Sequence, residues 1–184
     1  MDNLADIAQA VATCTKCPLS EKRTHAVPGE GSPNSELLFI GEGPGQKEDE
    51  QGRPFVGSAG KFLEELLSTI NLTRKDVFIT NVVKCRPPGN RDPEPNEVDT
   101  CTELYLYKQI AIIKPKLIIT LGRHSMYRFL PETFKISQVH GKPFRRKEQV
   151  YLPLYHPAAA LYNGGMRQTL IDDFKRIPKV LEKV

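Results

Sequence analysis

The chain predicts an α/β fold of three layers, α/β/α, around a four-stranded and mainly parallel sheet. Three observations carry this expectation. Short continuous apolar runs stand at 37–40, 77–82, 117–121 and 151–155, the pattern of strands buried on both faces. Amphipathic helical stretches alternate with them, which suits strand–helix–strand crossovers. No internal repeat, low-complexity segment or linker interrupts residues 1–184, so one domain is expected.

Each element has its own signal. Residues 2–12 place Leu4, Ile7, Ala8 and Val11 on one helical face. Leu37 to Ile40 form the first strand, which ends at Gly41. Ser58 is positioned to cap a helix carrying Phe62, Leu63, Leu66, Leu67 and Ile70 and ending near Asn71. A second strand follows at 77–82. A long helix over 96–113 stops before Pro115, because the residue before a proline avoids the helical region. Residues 117–121 form the third strand, 123–130 another helix and 151–155 the fourth strand. A closing helix over 167–183 is expected to kink or break at Pro178.

At 184 residues the chain can bury a full hydrophobic core without help from a metal. No apolar run approaches the roughly twenty residues of a membrane span, and the first residues show neither a basic nor an apolar leader region. A cytoplasmic protein is expected. The net charge of +4 permits a polyanionic partner without requiring one. A solvated loop is the plainer reading of Lys142, Arg145, Arg146 and Lys147.

All four cysteines are spaced like ligands: Cys14 and Cys17 as C-x2-C, Cys85 and Cys101 as C-x15-C. Disulfides would need an oxidising compartment, which nothing here suggests. A metal or iron–sulfur centre is favoured over unpaired thiols, and spacing alone allows either zinc or iron–sulfur.

In doubly wound sheets the ligand lies outside the carboxyl ends of the strands. Those loops hold the unusual residues: Gly41-Glu42-Gly43-Pro44-Gly45, then Gly52-Arg53-Pro54-Phe55-Val56-Gly57, then Asn81, then His156-Pro157-Ala158. The glycine loop lacks the third glycine of a dinucleotide fingerprint, since Gln46 stands there, and no P-loop occurs. A tight turn, or close approach of a planar ligand to backbone N–H groups, are the two uses left to it. His156 and Phe55 each carry a structural alternative, as a packed histidine at a strand end and as core.

These motifs jointly resemble the family 4 uracil-DNA glycosylases, iron–sulfur enzymes of bacteria and archaea. The resemblance rests on Gly41 to Gly45 with Glu48-Asp49, Gly52 to Gly57, Asn81, Lys84-Cys85-Arg86-Pro87-Pro88 with Asn90-Arg91, and His156-Pro157-Ala158. It spans nearly the whole chain and all four cysteines. It implies the uracil-DNA glycosylase fold, a [4Fe-4S] cluster on Cys14, Cys17, Cys85 and Cys101, and hydrolysis of uracil from DNA to leave an abasic site for base excision repair. Zinc becomes the runner-up.

The implied chemistry assigns roles. A flipped uracil would stack on Phe55, pair through N3–H and O4 with Asn81, and meet the main chain of Gly41 to Gly43. His156 would donate to uracil O2 as negative charge develops there. The water-orienting aspartate of better-known relatives falls at Gly43, so Glu42 is the first substitute and Glu48 the second, with Asn81 a further catalytic candidate able to orient water. Their thymine-blocking tyrosine falls at Gly45, and Glu48 is the residue set against the methyl group. Pro157, Ala158 and Leu161 would enter the minor groove, with Leu161 as wedge. Tyr162 stands where relatives often have arginine. Lys84, Arg86 and Arg91 would face phosphates. The inserted basic loop of a related single-strand-trapping class is missing after strand two, so turnover is expected. The partner is uracil-containing DNA, the protein is expected to be a monomer, and a sliding clamp stays open as a further partner. The competing classes are an iron–sulfur electron carrier and a non-catalytic zinc module that binds DNA.

Overall fold

A six-stranded sheet forms the middle of the computed structural model, which describes residue 1 and residues 3–184. The strands are β1 (Glu30–Gly31), β2 (Leu37–Gly41), β3 (Phe78–Asn81), β4 (Leu117–Leu121), β5 (Phe144–Arg146) and β6 (Gln149–Leu154). Their spatial order is β1-β3-β2-β4-β6-β5. The inner four are parallel and correspond to the four expected from the apolar runs. β1 and β5 add antiparallel edges. Both escaped the sequence because two or three residues in a polar setting carry no apolar run. Arg145 and Arg146 of the basic run lie in an edge strand, whose hairpin turns at Lys147 with φ 53°, while Lys142 stands in the loop before it.

Helices cover both faces: α1 (Leu4–Ala12), α2 (Gln46–Gln51), α3 (Ser58–Ser68), α4 (Pro95–Cys101), α5 (Tyr107–Ile113), α6 (Arg123–Tyr127), α7 (Ile136–Val139) and α8 (Gly164–Leu181). Residue 2, where the first helix was expected to start, lies outside the described residues. Strand alternation divides the core in two. Leu37 and Phe39 of β2 join Leu63, Leu66 and Phe174 on the α3 and α8 side, while Leu38 and Ile40 join Ile7, Val11 and Leu106 on the other. Phe39 and Phe174 stack with centroids 5.8 Å apart. Truncating a fully buried leucine such as Leu63 to alanine is expected to cost about 2–5 kcal/mol.

Local chemistry departs from expectation at three helices. Ser58 does not cap α3; it is the first helical residue, Gly57 is the cap, and no side-chain cap bond forms. Instead Glu48 Oε1 accepts from the N–H groups of Val56 and Gly57, each at 2.9 Å. The 95–113 helix is one run, but a π-helical turn at Thr102–Leu106 interrupts it directly after Cys101. α8 passes unbroken through Pro178, which lies in its last turn, so only three helical residues follow the lost N–H.

β3 and β4 flank β2 on opposite sides, so the chain reverses direction across the sheet at the carboxyl end of β2. That crevice is the topological switch point where such folds bind ligands.

Candidate active site

The register of β2 and β3 sets Gly41 beside Asn81 at the end of the sheet. The ladder continues past both strands, with Val82 N–H donating to Gly41 O at 2.9 Å and Val83 N–H to Glu42 O at 3.0 Å. Glu42 is thereby fixed at the mouth. A side chain at Gly41 would run into Asn81 Oδ1 and stand 2.7 Å from the Phe55 ring, so only glycine lets these two approach.

A cavity of about 380 Å³ opens here, lined by Glu42, Gly43, Glu48, Phe55, Asn81 and His156, with the Pro87–Arg91 loop and Ala158 at its rim. The strand-end loops converge as the fold rule predicts. Asn81 is 2% exposed, and its Oδ1 is buried with no hydrogen-bond partner. An unsatisfied buried acceptor costs about 1–3 kcal/mol, so it marks a place where a ligand donor belongs. Phe55 adopts φ 51°, a left-handed backbone that a phenylalanine seldom takes. Arg74 holds it there, Nη1 donating to Phe55 O at 2.8 Å and Nη2 donating to Pro54 O, while Nε is tied to Glu30 at 2.8 Å. Phe55 stacks on His156 with centroids 5.5 Å apart. Both belong to the cavity wall, although Phe55 also packs into the core beneath it.

His156 begins the 3-10 turn Pro157–Ala160, and its Nδ1 accepts from Ala158 N–H at 3.1 Å. Burial pushes its pKa down to about 4, against the pull of the Glu48 charge. The ring is neutral at physiological pH, and the bond at Nδ1 leaves its proton on Nε2. Burial, with Asp92 adding to it, raises the Glu42 pKa, while His124 and Arg123 oppose the rise. His124 Nε2 lies 3.8 Å from Glu42 and 3.3 Å from Asp92. His124 did not stand out in the sequence; it lies in the first turn of α6, directly after β4, where a lone histidine on a short helix carries no signal of its own.

The cations expected to meet DNA separate into three cases. Lys84 is corrected: it is 1% exposed, with Nζ bonded to Thr80 Oγ1, Asn81 O and Gln109 Oε1, so it cannot reach a phosphate. Burial pushes its pKa down to about 8, with Cys101 opposing. Arg91 stands at the rim but forks onto buried Glu97 at 2.9 and 2.7 Å, which itself closes the capping box of α4. Arg86 lies at the surface of the same loop and bonds Asn90 at 2.7 Å. Leu161 is 37% exposed and Tyr162 is 95% exposed, directly after the His156 turn.

On the other side of the Cys85 loop the four cysteines, all free thiols, line one further cavity. α1 delivers Cys14, Cys17 opens the 3-10 turn Pro18–Ser20, Cys85 follows β3 and Cys101 ends α4. Arg23 Nη1 donates to Cys85 Sγ at 3.0 Å, and Lys84 N–H donates to Cys101 Sγ at 3.3 Å. Burial pushes the Cys101 thiol up to about 11, so a bound cation is what would ionise it. Arg23 was not singled out in the sequence, because nothing in its local pattern shows that a guanidinium reaches a residue 62 positions on.

Fold, switch-point cavity and cysteine site together define a class. The chain belongs to the uracil DNA glycosylase superfamily, whose family model matches residues 28–178. Within it the chain groups with the type-4 uracil-DNA glycosylases. One from Sulfurisphaera tokodaii is 52% identical over 186 residues, covering 96% of this chain and 84% of the relative. One from Archaeoglobus fulgidus is 44% identical over 192 residues, covering 100% of this chain and 96% of the relative. A type-5 uracil-DNA glycosylase of Thermus thermophilus is more distant, at 29% identity over 157 residues, covering 78% of this chain and 70% of the relative.

Proposed function

We propose that this chain is a monofunctional uracil-DNA glycosylase of base excision repair, which takes a flipped uracil into the switch-point cavity and hydrolyses its N-glycosidic bond. The observation that carries the reading is Asn81 Oδ1, a buried acceptor without a partner in a cavity walled by Phe55 and a neutral His156. Uracil offers N3–H to that oxygen and O4 to the same amide's N–H group. Cytosine reverses the pattern and would leave buried groups unpaired.

In the reaction Phe55 supports the ring by stacking and the main chain of Gly41 to Gly43 meets its remaining edge. As the bond breaks, charge builds on uracil O2, and the His156 Nε2–H donates to it without first losing a proton. Glu42 orients the attacking water, with Glu48 the second choice. Glu48 already spends Oε1 on two backbone N–H groups, which suits it better to shaping the pocket against a thymine methyl. Pro157, Ala158 and Leu161 enter the minor groove, Leu161 filling the vacated stack. Arg86 and, more weakly because of Glu97, Arg91 meet the backbone. No lysine stands on the cavity wall, which suits hydrolysis over strand cleavage.

Cys14, Cys17, Cys85 and Cys101 would hold a [4Fe-4S] cluster. When bound it supplies a four-point thiolate anchor between the N-terminal segment and the 85–101 loop. The residues fit: four free thiols face one cavity and two of them receive N–H donors. The protein acts as one domain over residues 1–184, as a cytoplasmic monomer on uracil-containing DNA; no helix among the described residues is long and apolar enough to cross a membrane. A sliding clamp is a further partner to be tested by pull-down.

The test is release of uracil from an oligonucleotide with one uracil, read as alkali-labile strands. Release without spontaneous nicking is expected. No release by the metal-loaded protein overturns the assignment in favour of an electron carrier or a non-catalytic DNA-binding module.

A further inference from the structure

Beneath the cavity floor lies a lysine that surface chemistry does not explain. Lys84 is 1% exposed, and its three ammonium N–H groups are all used: Thr80 Oγ1 at 2.6 Å, Asn81 O at 2.7 Å and Gln109 Oε1 at 2.7 Å. The acceptors are tied together in turn, since Thr80 Oγ1 donates to Pro28 O at 3.0 Å and Gln109 Nε2 donates to the same oxygen at 2.7 Å. None of these partners is a carboxylate. Neutral acceptors alone do not offset the burial of an ammonium, and the nearest source of negative charge is the cysteine site, whose cavity Lys84 also lines. The charge must therefore be kept for what it holds.

It holds two things at once. Through Nζ, Lys84 fixes the carbonyl of Asn81, the last residue of β3, to α5. Through its own N–H it donates to Cys101 Sγ at 3.3 Å, and the next residue in the chain is Cys85. Asn81 Oδ1 has no hydrogen-bond partner of its own, so the backbone at 81, packed beside Gly41, contributes directly to where that oxygen points. We propose that Lys84 is a positioning residue for Asn81, which sets the base-reading amide and joins it rigidly to the cysteine loop. The proposal rests on the uracil reading of the cavity. It differs from the role in phosphate binding that the sequence suggests, and also from that of a nucleophilic amine, because all three N–H groups are engaged below the floor and Lys84 is not part of the cavity wall.

Two movements would follow from loosening this bridge. The Asn81 amide would wander from the uracil edge, weakening recognition of free uracil as well as of uracil in DNA. Binding to DNA that carries an abasic site, which needs no base in the pocket, would stay as it was. A residue that merely filled the core would instead alter stability and leave the ratio of these two affinities untouched.

The experiment uses the metal-loaded full chain. Lys84→Met keeps length and removes the donors; Gln109→Leu removes one acceptor from α5 without touching the cysteine loop. For each, iron content, visible absorbance and melting temperature are recorded, then single-turnover uracil release, product inhibition by free uracil, and affinity for an abasic-site duplex. Loss of a charge-assisted hydrogen bond predicts, for Lys84→Met, inhibition by uracil weakened and release slowed about ten- to a hundredfold, with abasic-site affinity and iron content unchanged. Inhibition and release equal to those of the parent in a loaded, folded Lys84→Met protein overturn the proposal. Where Lys84→Met does not fold or load, Gln109→Leu decides: weakened uracil inhibition at unchanged abasic-site affinity supports the bridge, and parental behaviour overturns it. A parent protein that releases no uracil would instead remove the functional reading on which the bridge rests.

Discussion

Ala158 donates its backbone N–H to Nδ1 of His156 at 3.1 Å, and this one bond decides which histidine tautomer faces the cavity. With Nδ1 an acceptor, Nε2 carries the proton, and burial holds the ring neutral down to a pKa of about 4. His156→Ala removes the Nε2–H donor proposed for uracil O2. Loss of such a donor costs about 2.7–4 kcal/mol, so single-turnover release is expected to fall about 10²- to 10³-fold while DNA affinity persists. The pH sign also follows. The folded pKa lies below the ordinary 6.5, so the stabilising contribution of neutral His156 is full above 6.5 and fades as pH falls toward about 4. A melting curve that drops less steeply between those pH values in His156→Ala than in the parent would show it.

Glu42 predicts the acid limb of activity. Burial raises its pKa above the ordinary 4.5, so as pH falls it takes up a proton earlier than an exposed glutamate does. The carboxylate proposed to orient water is lost in the same step. The release rate is expected to fall on the acid side with a midpoint above 4.5, and Glu42→Gln to be slower by about 10²-fold with that limb gone. A Glu42→Gln enzyme that keeps both the rate and the limb moves the role to Glu48.

Much of this arrangement was legible because its signals are local. The four inner strands are apolar runs, and the rule that ligands gather at carboxyl strand ends led to Glu42, Asn81, Phe55 and His156 before any fold was known. What stayed hidden depends on partners distant in sequence. Lys84 reads as a surface cation next to Arg86, and only the fold brings Thr80 and Gln109 around its ammonium. Arg91 reads as a free charge, yet a buried Glu97 occupies it. The π-helical turn after Cys101 has no propensity of its own; it arises where the helix must present a thiol inward while Tyr105 reaches Ala10 O at 3.4 Å on α1.

The cysteines predict a separation of anchoring from chemistry. They join α1 and the 3-10 turn after it to the loop that carries Arg86 and Arg91, and they lie outside the wall of the base cavity. Cys101→Ala is therefore expected to lower iron content, melting temperature and DNA affinity, the last by weakening the 85–101 loop. Uracil release from saturated enzyme–DNA complex should stay near that of the parent. A selective fall in that step, with affinity intact, would place the cluster in the chemistry.

Arg74 offers the final test, because it acts on the base pocket without lining it. Its guanidinium spans Glu30 and the carbonyls of Pro54 and Phe55, and so holds Phe55 at φ 51° where the ring can stack on a base. A non-glycine residue in that region costs of order 1–3 kcal/mol and persists only where its surroundings impose it. Arg74→Met removes the bonds to both carbonyls while Arg53 still pairs with Glu30 at 2.8 Å, so Glu30 is not left alone. Phe55 is then free to relax toward negative φ and swing from its platform. The expected result is a KM for uracil-containing DNA raised about tenfold or more, from loss of one to two charge-assisted hydrogen bonds, with stability lowered by about 1–3 kcal/mol. Replacing Phe55 by leucine in the same background removes the ring and keeps most of the buried apolar volume, which separates the platform from the core. With no ring to stack it cannot recover the KM, so a double variant that regains substrate affinity would overturn the role given to Phe55.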